Sequence, residues 1–183
     1  TEIYTLSLHD ALPIFIGFDN DPPNIFERQI NFIQSSGVVK AMIGLLNAIP
    51  GTRLHQRLQN EGRLLDSCTG DNCDGSLNFI PKMDAETIRA GYQAVLNSIY
   101  SPREYYQRVL EFLKEYKPIR KKRIDKLEIR AFFSSILYLG ILEKGKIYYW
   151  KLLIKALMFH RASFGEAFSS ALFGYHFRKL LSK

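Results

Sequence analysis

Phe15-Ile-Gly-Phe-Asp-Asn-Asp21 and Ala41-Met-Ile-Gly-Leu-Leu-Asn-Ala-Ile-Pro-Gly-Thr52 decide how this chain is read. Each is a short apolar run that stops abruptly in Gly, Asp, Asn or Pro, and a segment of helical periodicity follows each. Successive β/α units of a parallel sheet or barrel have this form, with ligand groups at the carboxyl ends of the strands. Two such units cannot close a barrel. The expectation is the end of a larger α/β body.

Working outward, Asp21 is expected to cap a helix that Pro22 begins, because the first turn has no use for the missing N–H. Phe26, Ile30 and Ile33 recur at helical spacing, and Gly37 is placed to end that helix in the left-handed conformation. A second strand is expected over Val38 to Leu46, apolar on both faces as a covered parallel strand should be. Thr52 caps a further helix carrying Leu54 and Leu58, which Gly62 closes. Ser67 to Lys82 is rich in Gly, Asp and Asn and reads as a loop.

Beyond that loop the pattern is helical throughout. Asp84 opens a helix whose stripe is Ile88, Tyr92, Val95, Leu96 and Ile99. Ser101-Pro-Arg-Glu104 has the form of a capping box with proline at the first helical position; the helix it opens shows Tyr106, Val109, Leu110 and Leu113 on one face. Lys117 to Arg123 is a basic connector. A helix from Leu127 to Leu142 follows, then one over Ile147 to Phe159 with Trp150, Ile154, Leu157 and Met158 on one side and Lys151 and Lys155 on the other. The last helix, Phe164 to Leu181, is expected to turn Phe168, Leu172 and Tyr175 inward. The fold class is α/β followed by all-α: two β/α units and a helical extension of about five helices.

At 183 residues with 46% apolar content, the chain can bury a core. Its charge is lopsided. Residues 1–99 hold seven Lys/Arg against eleven Asp/Glu, net −4, whereas residues 100–183 hold eighteen against seven, net +11. Such asymmetry is either a solvated helical surface or a face turned toward something acidic. Cys68 and Cys73 form a lone Cys-x4-Cys pair without a second pair, so a closed zinc site is not expected and the thiols read as free in a reducing cytosol. The longest uncharged run of the C-terminal half, Ala131 to Leu142, is too short to span a bilayer. The aromatics fall on apolar helix faces and no recognised motif for nucleic acid is present, so nucleic acid is not an expected partner.

The strand Phe15–Asp21, the loop Ile49-Pro-Gly-Thr52 and Leu58…Glu61-Gly-Arg-Leu64 resemble the last two β/α units of a radical S-adenosylmethionine barrel of the TIM-like type. Asp74-Gly-Ser-Leu-Asn-Phe-Ile-Pro-Lys-Met83, Ile99-Tyr-Ser-Pro-Arg-Glu-Tyr-Tyr106 and Gly174-Tyr-His-Phe-Arg178 agree with the helical extension of one branch, the cobalamin-binding radical SAM proteins of the hopanoid C-2 methylase kind. The order and spacing of these motifs carry the resemblance. It implies a parent enzyme using S-adenosylmethionine, a [4Fe–4S] cluster and cobalamin, with C-methylation as its reaction. Thr1 to Ile14 (TEIYTLSLHDALPI) resembles the translation of a sequencing-library adapter at the truncated end of an environmental read; a short amphipathic helix with Leu6, Leu8 and Leu12 is the other reading. The expected division is 1–14 adapter-derived, 15–65 barrel end, 66–83 connecting loop and 84–183 helical extension.

The resemblance places Gly17, Phe18 and Asp19 where such proteins let backbone approach the nucleoside of S-adenosylmethionine, and Asn47 within reach of it. Gly17 equally suits close packing, Asp19 and Asp21 suit helix N-caps, and Asn47, Pro50 and Gly51 suit a turn. His55 reads as surface and His176 as a satisfied core histidine, so no catalytic residue and no metal ligand is assigned. Cluster ligation takes three thiolates, and Cys68 and Cys73 are two in the wrong loop. The fragment alone is therefore expected to bind no cofactor and to be inactive, and its expected partners are the missing N-terminal domains of the same chain and a small-molecule or lipid substrate of the parent. The alternative function is a basic helical module docking on an anionic membrane or acidic partner, motivated by residues 117–123 and the Trp150/Lys151/Lys155 helix. A cytoplasmic location, peripheral to the inner membrane on that alternative, follows.

Overall fold

The computed structural model describes residues 12–65, 76–116 and 126–181. The described chain forms two compact units: one takes 12–32, 40–65 and 76–96, the other 33–39, 97–116 and 126–181. Cys68, Cys73 and the basic connector 117–123 lie outside the described residues.

The first unit is built on a parallel pair. β1 (Leu12–Ile16) runs alongside β2 (Ala41–Leu45), in register from Leu12 opposite Ala41 to Ile16 opposite Leu45. Parallel strands need a long crossover, which α1 (Ile25–Ser36) supplies. Ile14, Ile16, Ile43 and Leu45 are buried, while Met42 and Phe15 are exposed. β1 begins at Leu12, so it takes in three residues that the adapter reading set outside the fold, and it ends at Ile16 rather than Asp21. Gly17 stops it: its φ of +109° leaves the extended region. β2 is likewise shorter than the apolar run Val38–Leu46.

Asp21 does not cap α1. Its Oδ2 accepts the backbone N–H groups of Gly17 (2.8 Å) and Phe18 (2.9 Å), closing the turn after β1. The other expected stops hold: Gly37 and Gly62 sit at φ +68° and +64°, and Thr52 Oγ1 accepts from His55 N at 3.2 Å to start α2 (Arg53–Asn60). After α2 the chain makes an antiparallel bridge between Leu64, just before the expected loop, and Phe79 within it. Asp84 Oδ2 then accepts from Thr87 N at 2.8 Å and opens α3 (Ala85–Ile99). Its expected stripe, Ile88 to Ile99, is buried throughout.

The second unit is helical: α4 (Pro102–Glu115), α5 (Lys126–Leu137), a π turn (Tyr138–Leu142), α6 (Lys146–Phe159), a single 3-10 turn and α7 (Phe164–Leu181). Pro102 does open α4, but Ser101 makes no side-chain cap and Glu104 accepts from Gln34 Nε2 at 2.7 Å instead. The box spacing is present; its reciprocal bonds are not.

The inward face of the last helix departs from expectation. On α7 the buried residues are Ala167, Phe168, Ser170, Ala171 and Gly174, whereas Leu172 and Tyr175 are half-buried and His176 is exposed. The small residues make a groove for Tyr105 of α4, whose hydroxyl donates to the Ser170 carbonyl at 2.8 Å. A Cβ on Gly174 would run into the Tyr105 ring. On α6 the inward face is Tyr149, Leu152, Leu153 and Ala156, and the Trp150, Ile154, Leu157 and Met158 side is exposed.

Gly174→Ala is therefore expected to destabilise the chain by about 1–2 kcal/mol, since overpacking outweighs the helix propensity that alanine adds. Gly165→Ala, in open space on the same helix, is expected to be neutral or to stabilise by about 0.5 kcal/mol. Urea unfolding followed by circular dichroism separates the two.

Candidate functional site

The strand ends of the first unit carry the residues that the sequence singles out. Leu46 N donates to the Ile16 carbonyl at 2.8 Å, so the loops leaving β1 and β2 adjoin. Gly17, Phe18 and Asp19 stand on one loop and Asn47 on the other. A Cβ placed on Gly17 would meet nothing nearer than Leu46 Cβ at 3.8 Å. Close packing thus does not demand glycine there; the positive φ does. Gly17 itself is buried beside Leu46 and Leu77, and the exposed ring at this strand end is that of Phe18.

Asp19 is held from the side. Arg63 grips it with both nitrogens of its fork, Nη2 to Oδ1 at 2.7 Å and Nη1 to Oδ2 at 3.0 Å, and Arg57 Nη2 reaches Oδ2 at 2.9 Å. The Arg63 hydrogen bonds hold the Asp19 carboxyl below the usual carboxylate range, against the burial that opposes them. The same bonds, with one to Glu61, raise Arg63 above its ordinary value. The second loop has its own clasp. Buried Asn78 accepts from Ala48 N at 2.7 Å and donates to the Ala48 carbonyl at 2.9 Å, while its own N–H donates to Asn47 Oδ1 at 3.1 Å. Asn47 is therefore tied into the loop as well as presented at it.

Arg63 lies in Glu61-Gly-Arg-Leu64 and Asn78 in Asp74–Met83, and the sequence alone assigns neither a role. A polar residue inside Leu77-Asn78-Phe79 was the one available signal for Asn78. The second unit adds a buried cation: Arg108 donates through Nη1 to Gln34 Oε1 and lies over the Tyr105 ring, its Nε and Nη2 have no hydrogen-bond partner among the described residues, and burial lowers its pKa. Among the described residues no three His, Cys, Asp or Glu gather as a metal site.

Asp19 has a depressed folded-state pKa, so its stabilisation is present above the ordinary carboxylate range and lost as pH falls through the lower, folded value. Arg63→Ala is expected to cost about 2 kcal/mol, by stranding a nearly buried carboxylate acceptor that Arg57 only partly serves. It should also move the acid unfolding transition up toward the ordinary Asp range. Denaturant unfolding across a pH series checks both effects.

Residues 52–183 match the model of a family described as a domain of unknown function, DUF4070. Two curated relatives match over 154 residues at 28% identity. One is an uncharacterized methyltransferase of Synechocystis sp., covered over 29% of its length by 81% of this chain. The other is a hopanoid C-2 methylase of Rhodopseudomonas palustris, covered over 28% of its length by 79% of this chain. The chain thus spans under a third of the curated relatives it matches, and no solved structure matches it significantly. A hopanoid C-2 methylase is the type that the motif order resembles. From the α2 cap at Thr52 through the whole helical second half, the chain belongs to the DUF4070 family.

Proposed function

We propose that this chain is the C-terminal portion of a radical S-adenosylmethionine enzyme, a cobalamin-dependent C-methyltransferase, and that its β1–β2 pair closes the enzyme's barrel. The observation that carries the reading is a family match over 52–183 with methyltransferase relatives, joined to two parallel strands whose carboxyl-end loops adjoin. When bound, S-adenosylmethionine supplies the methyl group and, with the cluster and cobalamin, the one-electron chemistry.

The residues present fit the nucleoside end of that group. Gly17 supplies the positive φ that sets the loop edge after β1, and Phe18 offers a half-exposed ring beside it. Asp21 engages the two N–H groups of the turn, and Arg63 fixes Asp19, so this edge is rigid before a ligand arrives. Such preorganisation lowers the ordering cost of binding. The cluster does not fit this chain: two cysteines cannot supply three thiolates. Those ligands are assigned to an upstream segment of the longer enzyme.

Extension upstream to the length of the relatives is the test. The added sequence should contain Cys-x3-Cys-x2-Cys, and anaerobic reconstitution should give cluster absorbance and 5′-deoxyadenosine. Gly17→Val should weaken S-adenosylmethionine binding at least about tenfold while cluster absorbance stays. An upstream frame without the cysteine triad defeats the proposal.

A further inference from the structure

α6 carries large apolar residues on every side, with Lys146, Lys151 and Lys155 among them. Its inward face is buried, yet its outward ridge of Ile147, Ile154 and Met158 is 72%, 53% and 65% exposed. A helix of that composition is normally covered on every side. α5 and the π turn extend the exposed surface with Phe133, Leu137 and Ile141, four residues apart. Trp150 joins the two elements: its indole N–H donates to the Gly140 carbonyl of the π turn at 3.0 Å.

Charge identifies the occupant. Between residues 144 and 165 stand Lys144, Lys146, Lys151, Lys155 and Arg161, with no Asp or Glu. Lys151 and Lys155 also line a groove of about 610 Å³ with Arg103, Lys114 and His160. Its carboxylate, Glu111, is paired with Lys114 at 2.6 Å. A second copy of the chain would bring the same positive charge against itself. An apolar segment of the same protein would leave these cations without counterparts. An anionic bilayer satisfies both parts, taking the ridge at the acyl boundary and the ammonium groups at its phosphates.

We propose that the exposed face of α5, the π turn and α6 is a peripheral docking surface for an anionic phospholipid bilayer. Ile147, Ile154 and Met158 enter the interface, and Lys151 and Lys155 meet lipid phosphate. Trp150, the sole tryptophan of the chain, lies half-exposed on this face and reports on it.

The test is flotation and Trp150 fluorescence of the 183-residue chain with phosphatidylcholine vesicles, with and without phosphatidylglycerol. Co-flotation only with the anionic vesicles, a blue shift and quenching by brominated acyl chains are expected, all weakened by salt. Lys151→Ala with Lys155→Ala should reduce partitioning about thirtyfold at low salt. Ile154→Asn should reduce it about tenfold with helical circular dichroism retained; Met158→Gln and the salt series serve if that variant misfolds. Arg28→Ala, in the other unit, should change nothing. Equal binding to neutral vesicles, or none, overturns the proposal. So does self-association through this face, or loss of binding once the chain is extended upstream.

Discussion

The bidentate grip of Arg63 on Asp19 is the interaction on which the first unit depends. Asp19 leaves the end of β1, and Arg63 follows α2, forty-four residues later. Both side chains are largely shielded, 16% and 8% exposed, so the pair carries a desolvation cost that only good geometry offsets. The planar fork supplies that geometry, and Arg57 and Glu61 extend it into a network. Lysine could not do the same, because a point charge cannot hold both carboxylate oxygens in fixed directions. With Asp21 closing the turn from the other side, a loop at a strand end becomes a defined edge.

Sequence segments that look unrelated turn out to be the two halves of single contacts. Glu61-Gly-Arg63-Leu64 meets the first strand loop through Asp19, and Leu77-Asn78-Phe79 meets the second through Ala48. In the helical unit the segment Ile99–Tyr106 meets Gly174–Arg178: the Tyr105 ring lies against Gly174, Arg178 donates to the Tyr106 hydroxyl at 3.1 Å, and Tyr100 stacks on Phe177 at 4.7 Å. A motif set with fixed order and spacing is what pairwise contacts of this kind require.

Element order was legible because it rests on local rules. Thr52, Asp84, Pro102, Gly37 and Gly62 each act within one turn of their own position, and each works where the pattern places it. Facing was less legible. The α7 groove is lined by Ala167, Ser170, Ala171 and Gly174, and a rule that counts large apolar residues passes over a face whose function is to be small. α6 is hard to read for the opposite reason, since large apolar residues on every side leave periodicity no preferred face. Asp21 shows the third limit. As an N-cap or as a turn acceptor it uses the same carboxylate, and only the path of the Gly17 backbone decides between them.

Net charge can now be placed on the structure. The first ninety-nine residues are net acidic, and the excess of +11 belongs to the remainder. Part of that excess is structural: Arg178 is paired with Glu143 at 2.8 Å, and Arg108 is buried and donates to Gln34 Oε1. Lys151 and Lys155 differ, because they stand exposed beside an exposed apolar ridge, where water solvates the charges but not the hydrocarbon. Solubility alone would call for the charges and disfavour the ridge. Among the described residues no helix is long and apolar enough to cross a membrane. A shallow interface, apolar below and anionic above, is the environment in which ridge and charges are both at home.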